Sequence, residues 1–113
     1  MKTIRIAGVP EHFNYPWQYA IQNKLFEAAG IDLQWTNIPE GTGKMCQMLR
    51  EEKTDMSVIL TEGIVKDILS GNNSKIVQVY VDSPLIWGIH VAAESNYHDL
   101  SDLENKKVAI SRI

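Results

Sequence analysis

Glu11-His12 and Gly41-Thr42-Gly43-Lys44 are the two places in this sequence where residue type and spacing invite a chemical reading. The second resembles a phosphate loop at first sight, because glycine lets the backbone approach an anion and a lysine follows. The full Gly-x-x-x-x-Gly-Lys-Ser/Thr pattern is absent, since Met45 follows Lys44, and nucleotide hydrolysis is set aside on that ground. A looser anion site survives: a helix beginning at Thr42 offers unpaired N–H groups that favour negative charge whatever the motif. Lys44 adds to it only if it points inward. Thr42 itself has two readings, a structural cap alone or a cap that also touches a ligand. Glu11 and His12 could be a metal pair or an acid/base pair, but adjacent residues diverge on a loop or strand. His90 and His98 fall in other elements without ligand spacing, so the sequence points to no metal, no cofactor and no catalytic group. His12, beside Phe13, is either a donor to a ligand or an ordinary loop histidine. The single cysteine, Cys46, cannot form an intramolecular disulfide and reads as a plain thiol inside a helix.

These groups act together only if the fold delivers them to one edge. Met45, Met48, Leu49 and Glu52 recur at helical spacing after Thr42, and Lys53-Thr54-Asp55 stops the helix. Met56-Ser57-Val58-Ile59-Leu60 follows as a short apolar strand, with Thr61-Glu62 expected at its carboxyl end. Upstream, residues 3–9 alternate as a first strand, with Gly8 permitting close backbone approach, and the loop Pro10-Glu11-His12-Phe13-Asn14-Tyr15 follows. Pro16 suits the first turn of a helix whose face holds Trp17, Ala20, Ile21, Leu25 and Ala28, ended by Gly30. Residues 31–38 read as a second strand and Gly63 to Leu69 as a third helix. Residues 75–81 and 85–93 read as fourth and fifth strands, residues 101–105 as a short helix anchored by Leu100 and Leu103, and residues 106–111 as a sixth strand. Alternating strands and helices make right-handed βαβ units, hence an α/β fold with a mostly parallel sheet and helices on both faces. The carboxyl edge of such a sheet is where small ligands bind.

Composition narrows the field. The 113 residues suffice for one modest domain; 44% hydrophobic and 22% charged residues are ordinary for a globular chain. A net charge of −3 supplies no cationic field, so nucleic acid is not an expected partner. No run of about eighteen apolar residues exists, which argues against membrane insertion. The amino terminus goes straight into strand-like alternation without an apolar leader core, so as written the expectation is a cytoplasmic protein. A leader removed ahead of Met1 would make it periplasmic or lipid-anchored instead.

Three stretches carry a family resemblance: Ile4-Arg5-Ile6-Ala7-Gly8-Val9; Gly41-Thr42-Gly43 with Leu49 and Asp55-Met56-Ser57-Val58; and Asp102-Leu103-Glu104-Asn105-Lys106-Lys107-Val108-Ala109-Ile110-Ser111. With this order of elements, the chain resembles the amino-terminal part of type II periplasmic substrate-binding proteins of ABC transporters, especially the nitrate, sulfonate, taurine and thiamine-precursor group. Asn105 stands where the family's Asp-Leu-x-Gly-Lys-x-Val-Ala segment has glycine, and asparagine also tolerates the left-handed conformation expected there. The resemblance implies two lobes about a ligand cleft, with residues 1–84 as an incomplete first lobe and residues 85–113 as the crossover and the start of the second. It therefore implies a truncated chain, or one that pairs with a second chain supplying the missing lobe, and an ABC permease as a further partner.

On that resemblance the ligand-facing loops are Pro10, Glu11, His12 and Phe13; Gly41, Thr42 and Gly43; Thr61 and Glu62; and Asp82 and Ser83, with Trp87 as an apolar wall near the crossover. The other tryptophans, Trp17 and Trp35, read as core. If Glu62 faces the cleft, its carboxylate repels simple oxyanions and favours a pyrimidine-like or amine-bearing solute; if it turns outward as a helix-terminal charge, that argument lapses. The expected function is non-enzymatic binding of a small molecule. Its rival is a cytosolic enzyme of thiamine-pyrimidine or menaquinone biosynthesis on the same fold, for which Glu11, His12, Glu62 and Cys46 are the available groups.

Overall fold

The computed structural model describes residues 1–84 and 86–110. It divides into two compact units, Met1–Val81 and Asp82–Ile113. In the first, strand β1 (Lys2–Gly8) leads through a 3-10 turn (His12–Asn14) to helices α1 (Tyr15–Gln22) and α2 (Leu25–Ala28). Strand β2 (Ile31–Asn37), helix α3 (Thr42–Arg50), strand β3 (Met56–Ser57) and helix α4 (Thr61–Leu69) follow. The three strands form a parallel sheet in the order β2-β1-β3.

Strand β1 is central, and its burial shows why. Neighbouring residues of a strand face opposite sides, yet Ile6 and Ala7 are 1% and 0% exposed, so both faces are covered. Ile6 is in register with Trp35 of β2, and Trp35 stacks on Trp17 of α1 with ring centroids 5.9 Å apart. Ala7, facing the other way, packs with Ile38 and with Met45 of α3. Helices therefore lie on both faces of a parallel sheet, as the alternation of elements implies.

The first helix departs from the single segment expected. Asn23 turns both its backbone N–H and its side-chain amide onto the Tyr19 carbonyl, at 3.0 and 2.9 Å, and Lys24 then takes a left-handed conformation with φ of 56°. That break lets Phe26 stack nearly flat against Trp17, 5.9 Å away at 9°. The third strand is shorter than residues 56–60. It ends with Val58 N–H donating to the Ala7 carbonyl at 2.9 Å, because β1 itself stops at Gly8.

The strands expected at 75–81, 85–93 and 106–111 do not form among the described residues. Their composition suits a strand, but a strand exists only as a pair, and Val77 and Val79 remain 81% and 66% exposed. Leu85 and Ser111 lie outside the described residues. In the second unit the short helix is a 3-10 turn, Leu100–Leu103, held by a reciprocal capping box between Asp99 and Asp102. Asn105 has φ of 60°, the left-handed conformation expected of it.

Polar ties fasten the helices α3 and α4 to one another and the entry to β3 to the central strand. Arg50 pairs with Asp67 at 2.5 Å, joining α3 to α4. Buried Asn72 donates to the same carboxylate at 2.7 Å while its own oxygen accepts from Ser74 N–H at 2.9 Å. Asn72 first, and Arg50 second, hold the Asp67 carboxyl below the usual carboxylate range. Across the sheet, Asp55 accepts from Arg5 Nε at 3.1 Å, Nη2 at 2.7 Å and backbone N–H at 2.8 Å. The Arg5 guanidinium and backbone bonds bring the Asp55 pKa down to about 2. A carboxylate more acidic in the folded than in the unfolded chain stabilises the fold above its unfolded pKa and loses that contribution as pH falls through the folded one. The urea midpoint is therefore expected to fall between about pH 4 and pH 2. Asp55→Asn should lower the midpoint at pH 7 and flatten the acid limb; an unchanged slope would assign the acid sensitivity elsewhere.

Candidate functional site

The carboxyl ends of β1 and β2 and the amino ends of α3 and α4 converge on one rim. Ile38 N–H donates to the Gly8 carbonyl at 2.8 Å and Gly41 N–H to the Ile38 carbonyl at 3.1 Å, so the turn into α3 is built directly on the end of the sheet. Val9 and Ile59 pack against the cluster of Ala7, Ile38 and Met45 beneath. After β1, Glu11 N–H donates to the Val9 carbonyl at 2.9 Å, and buried Asn14 donates its side-chain amide to the same oxygen at 2.9 Å.

Gly41, not Thr42, is the N-cap of α3. Its φ of 84° and ψ of −154° belong to a region that glycine alone enters without strain. The chain therefore turns one residue earlier than a side-chain cap would have it. Thr42 becomes the first helical residue, makes no cap bond, and faces α4 instead. A side chain at Gly63 would run into Thr42 Cγ2, so the bare glycine is what lets the two helix starts lie together. Neither helix start is capped by a side chain, which leaves first-turn N–H groups for water or a ligand.

Thr61 and Glu62 are corrected in the same way. They are not a polar strand tip but the exposed first turn of α4, with Leu60 as the N-cap. There the Glu62 carboxylate meets the positive end of the helix dipole, a place where a purely structural charge would also sit. Lys44 is exposed and donates along its own helix to Gln47, at 3.5 Å, and so does not reinforce an anion site.

The structure thus brings Pro10, Glu11, His12 and Phe13, Gly41, Thr42 and Gly43, and Thr61 and Glu62 to one edge of the first unit. Pro10, Glu11, His12 and Gly43 are exposed, Phe13 and Thr42 half-buried, and Gly41 buried. The His12 and Phe13 rings meet edge to face, 5.7 Å apart at 77°. Asp82, Ser83 and Trp87 belong to the second unit and are exposed there, Trp87 by 85%. Cys46 lies behind the rim, 3% exposed, with Sγ 4.0 Å from the Gly63 carbonyl. Burial, aided by the charge of Asp67, pushes its thiol pKa up, the opposite of what a nucleophile requires.

Asn14 was not distinguished from its loop by sequence reasoning. An asparagine just ahead of Tyr15-Pro16 signals an N-cap, and Asn14 does occupy that position for α1, but its side chain turns inward to Val9 instead of capping. Nothing local in the sequence announces that choice. Among the described residues no three His, Cys, Asp or Glu side chains gather as a metal site, and no helix is long and apolar enough to cross a membrane.

A family model described as NMT1/THI5 like matches residues 12–113, all but the first strand and the start of the rim loop. The chain belongs to the NMT1/THI5-like family. Among curated proteins it is similar to the cell division protein ZapD of Cupriavidus pinatubonensis, 30% identical over 97 residues. The ZapD proteins of Cupriavidus taiwanensis and Cupriavidus necator are 31% identical over the same length. Each alignment takes in 81% of this chain and 38% of the relative, so the chain spans well under half the length of the relatives it matches. Among solved structures, it is similar to a conserved Candida albicans gene product, described as defining a new family of proteins with the generic periplasmic binding protein fold. The TM-score is 0.60 at 32% identity, over 64% of this chain and 24% of that one. An NMT1/THI5-like chain with a parallel sheet and helices on both faces is a type II periplasmic-binding-protein-like domain, in agreement with the resemblance of its motifs.

Proposed function

We propose that this chain contributes the first lobe of a small-molecule binding clamp. Residues 1–84 would form that lobe, and residues 85–113 the crossover and the beginning of a second. The observation that carries this reading is the shared rim: Gly8–Val9, Thr42 and Thr61 lie along one edge, with uncapped helix starts beside it. Backbone N–H groups at Thr42 and Thr61, the two threonine hydroxyls and the His12 ring would supply donors and acceptors, and Phe13 an apolar surface. A rim of this kind is half a site. A solute touching both halves binds the closed form better than the open one, and that difference in affinity drives closure. The second lobe would come from residues beyond these 113 or from a second chain, and an ABC permease is the further partner this reading proposes.

An enzyme of cofactor biosynthesis on the same fold is the rival. The buried Cys46 thiol counts against it, because burial pushes its pKa up and so disfavours the thiolate a nucleophile requires. The cell-division name of the Cupriavidus relatives attaches to chains more than twice as long and finds no counterpart in this rim.

The test is a thermal-shift screen of the full-length protein against cytosine and other pyrimidines, amines, nitrate and sulfonates. One class should raise the melting temperature with a saturating dose response, worth about 2.7 kcal/mol at a hundred times Kd. No shift with any class, together with turnover of one compound, would replace the clamp with the enzyme.

A further inference from the structure

Residues 75–81 form no regular element and are exposed, and among the described residues no backbone hydrogen bond ties them to a strand. One side chain fastens them instead. The Tyr80 ring lies 5.9 Å from that of Trp17, tilted by 41°, and its hydroxyl donates to the Phe13 carbonyl at 2.7 Å, across 67 positions of sequence. Phe13 is the middle residue of the His12–Asn14 turn. That turn is a single 3-10 element, whose hydrogen bonds have poor geometry. Its own ties are Asn14 N–H to the Glu11 carbonyl, at 3.0 Å, Tyr15 N–H to the His12 carbonyl, and the Asn14 side chain to Val9. A strong donor on its central carbonyl adds a tie from outside the turn, on a carbonyl the turn itself leaves open. Because the Phe13 ring meets His12 edge-on, the backbone that Tyr80 grips also sets the His12 imidazole.

We propose that Tyr80 is a positioning residue for the rim: its hydroxyl latches the Phe13 carbonyl, so that the His12–Phe13 turn and the segment leaving the first unit move together. Its role in binding rests on the clamp reading; the latch itself does not. Burial pushes the Tyr80 phenol pKa up, so the hydroxyl keeps the proton it donates throughout the neutral range. A side chain that sequence reading assigns to a strand and a backbone carbonyl that it assigns to a loop are thereby joined in one device.

Amide hydrogen exchange on the full chain, without any ligand, is the test. Tyr80→Phe keeps the ring on Trp17 and removes only the donor. The Asn14 amide should then exchange about tenfold faster, the loss of one hydrogen bond. The Met45 amide, bonded to the Gly41 carbonyl at 3.1 Å on the other side of the sheet, should keep its rate. Installing 4-aminophenylalanine at position 80, which restores a donor at the same ring position, should restore Asn14 protection. Unchanged Asn14 exchange, or equal acceleration of Asn14 and Met45, overturns the latch. The wild-type protein gives a second measurement. A donated Tyr80 hydroxyl proton should yield a resolved resonance near Phe13, and one averaged with water overturns the proposal. The ligand screen fails or succeeds independently of both results.

Discussion

Gly63→Ala is expected to destabilise the protein by about 1–3 kcal/mol, the range for forcing a methyl group into a packed site. Most of that loss should disappear in the Thr42→Ser background. The reasoning is steric and local. A Cβ on residue 63 meets Thr42 Cγ2 at a distance no real pair sustains, while Thr42 Cβ and Oγ1 lie at ordinary van der Waals separations of 3.5 and 3.9 Å. Threonine cannot swing aside freely, because β-branching restricts its χ1. Serine lacks the methyl and keeps the hydroxyl. The urea midpoints of the wild type, both single variants and the double variant form a cycle whose coupling should be of the order of 1 kcal/mol or more. Simple additivity would mean that the helix starts are not held against each other at this point. The same variants carry a functional reading. Gly63→Ala should weaken whatever ligand the thermal screen identifies, since it spreads the two rows of N–H groups that face the rim.

Met45→Ala should cost more, about 2–5 kcal/mol, because it empties a filled position at the centre of the unit. Met45 is 1% exposed and packs with Ala7 of the central strand and with Ile38, the residue that begins the turn into α3. Against a total stability of about 5–15 kcal/mol, such a loss leaves a sizeable unfolded fraction in a modest domain. Met48, one turn further along the same helix, is only half-buried, and its replacement by alanine should cost clearly less. Comparable midpoints for the two variants in urea would show that the inner face of α3 is not packed as described. Met45 contributes nothing polar to the rim, yet it holds the helix whose start makes the rim. Binding should therefore fail in Met45→Ala in step with folding, and not before it.

The rim was legible in the sequence to the extent that it depends on local pattern. Alternation in residues 3–9, the helical spacing of Met45, Met48 and Leu49, and the glycines at 41 and 43 were enough to set strands and helix starts at a common edge. The errors were of two physical kinds. Thr42 carries the side chain of a cap, but the backbone of Gly41 reaches a conformation closed to other residues, and backbone geometry overrode side-chain preference. Thr61-Glu62 was assigned to a strand because the apolar run before it is strand-like; the ladder with β1 stops at Val58, and the freed chain entered its helix two residues sooner than Gly63. Residues 75–81 show the other limit. Their composition is that of a strand covered on both faces, but pairing is a property of two segments, and a sequence names only one of them. For the same reason nothing in the sequence joined Tyr80 to Phe13.

The left-handed break at Lys24 has an optical consequence. By swinging Phe26 under Trp17, it completes a stack in which two indoles, Trp17 and Trp35, stand 5.9 Å apart. Chromophores so close couple their excitations, so the far-ultraviolet circular dichroism of the folded chain is expected to show an exciton couplet, in the strong indole band, that a lone tryptophan cannot produce. Trp87, open to solvent, emits at long wavelength in the folded and unfolded chain alike. The protein therefore reports the integrity of its own first unit by light, with no added dye.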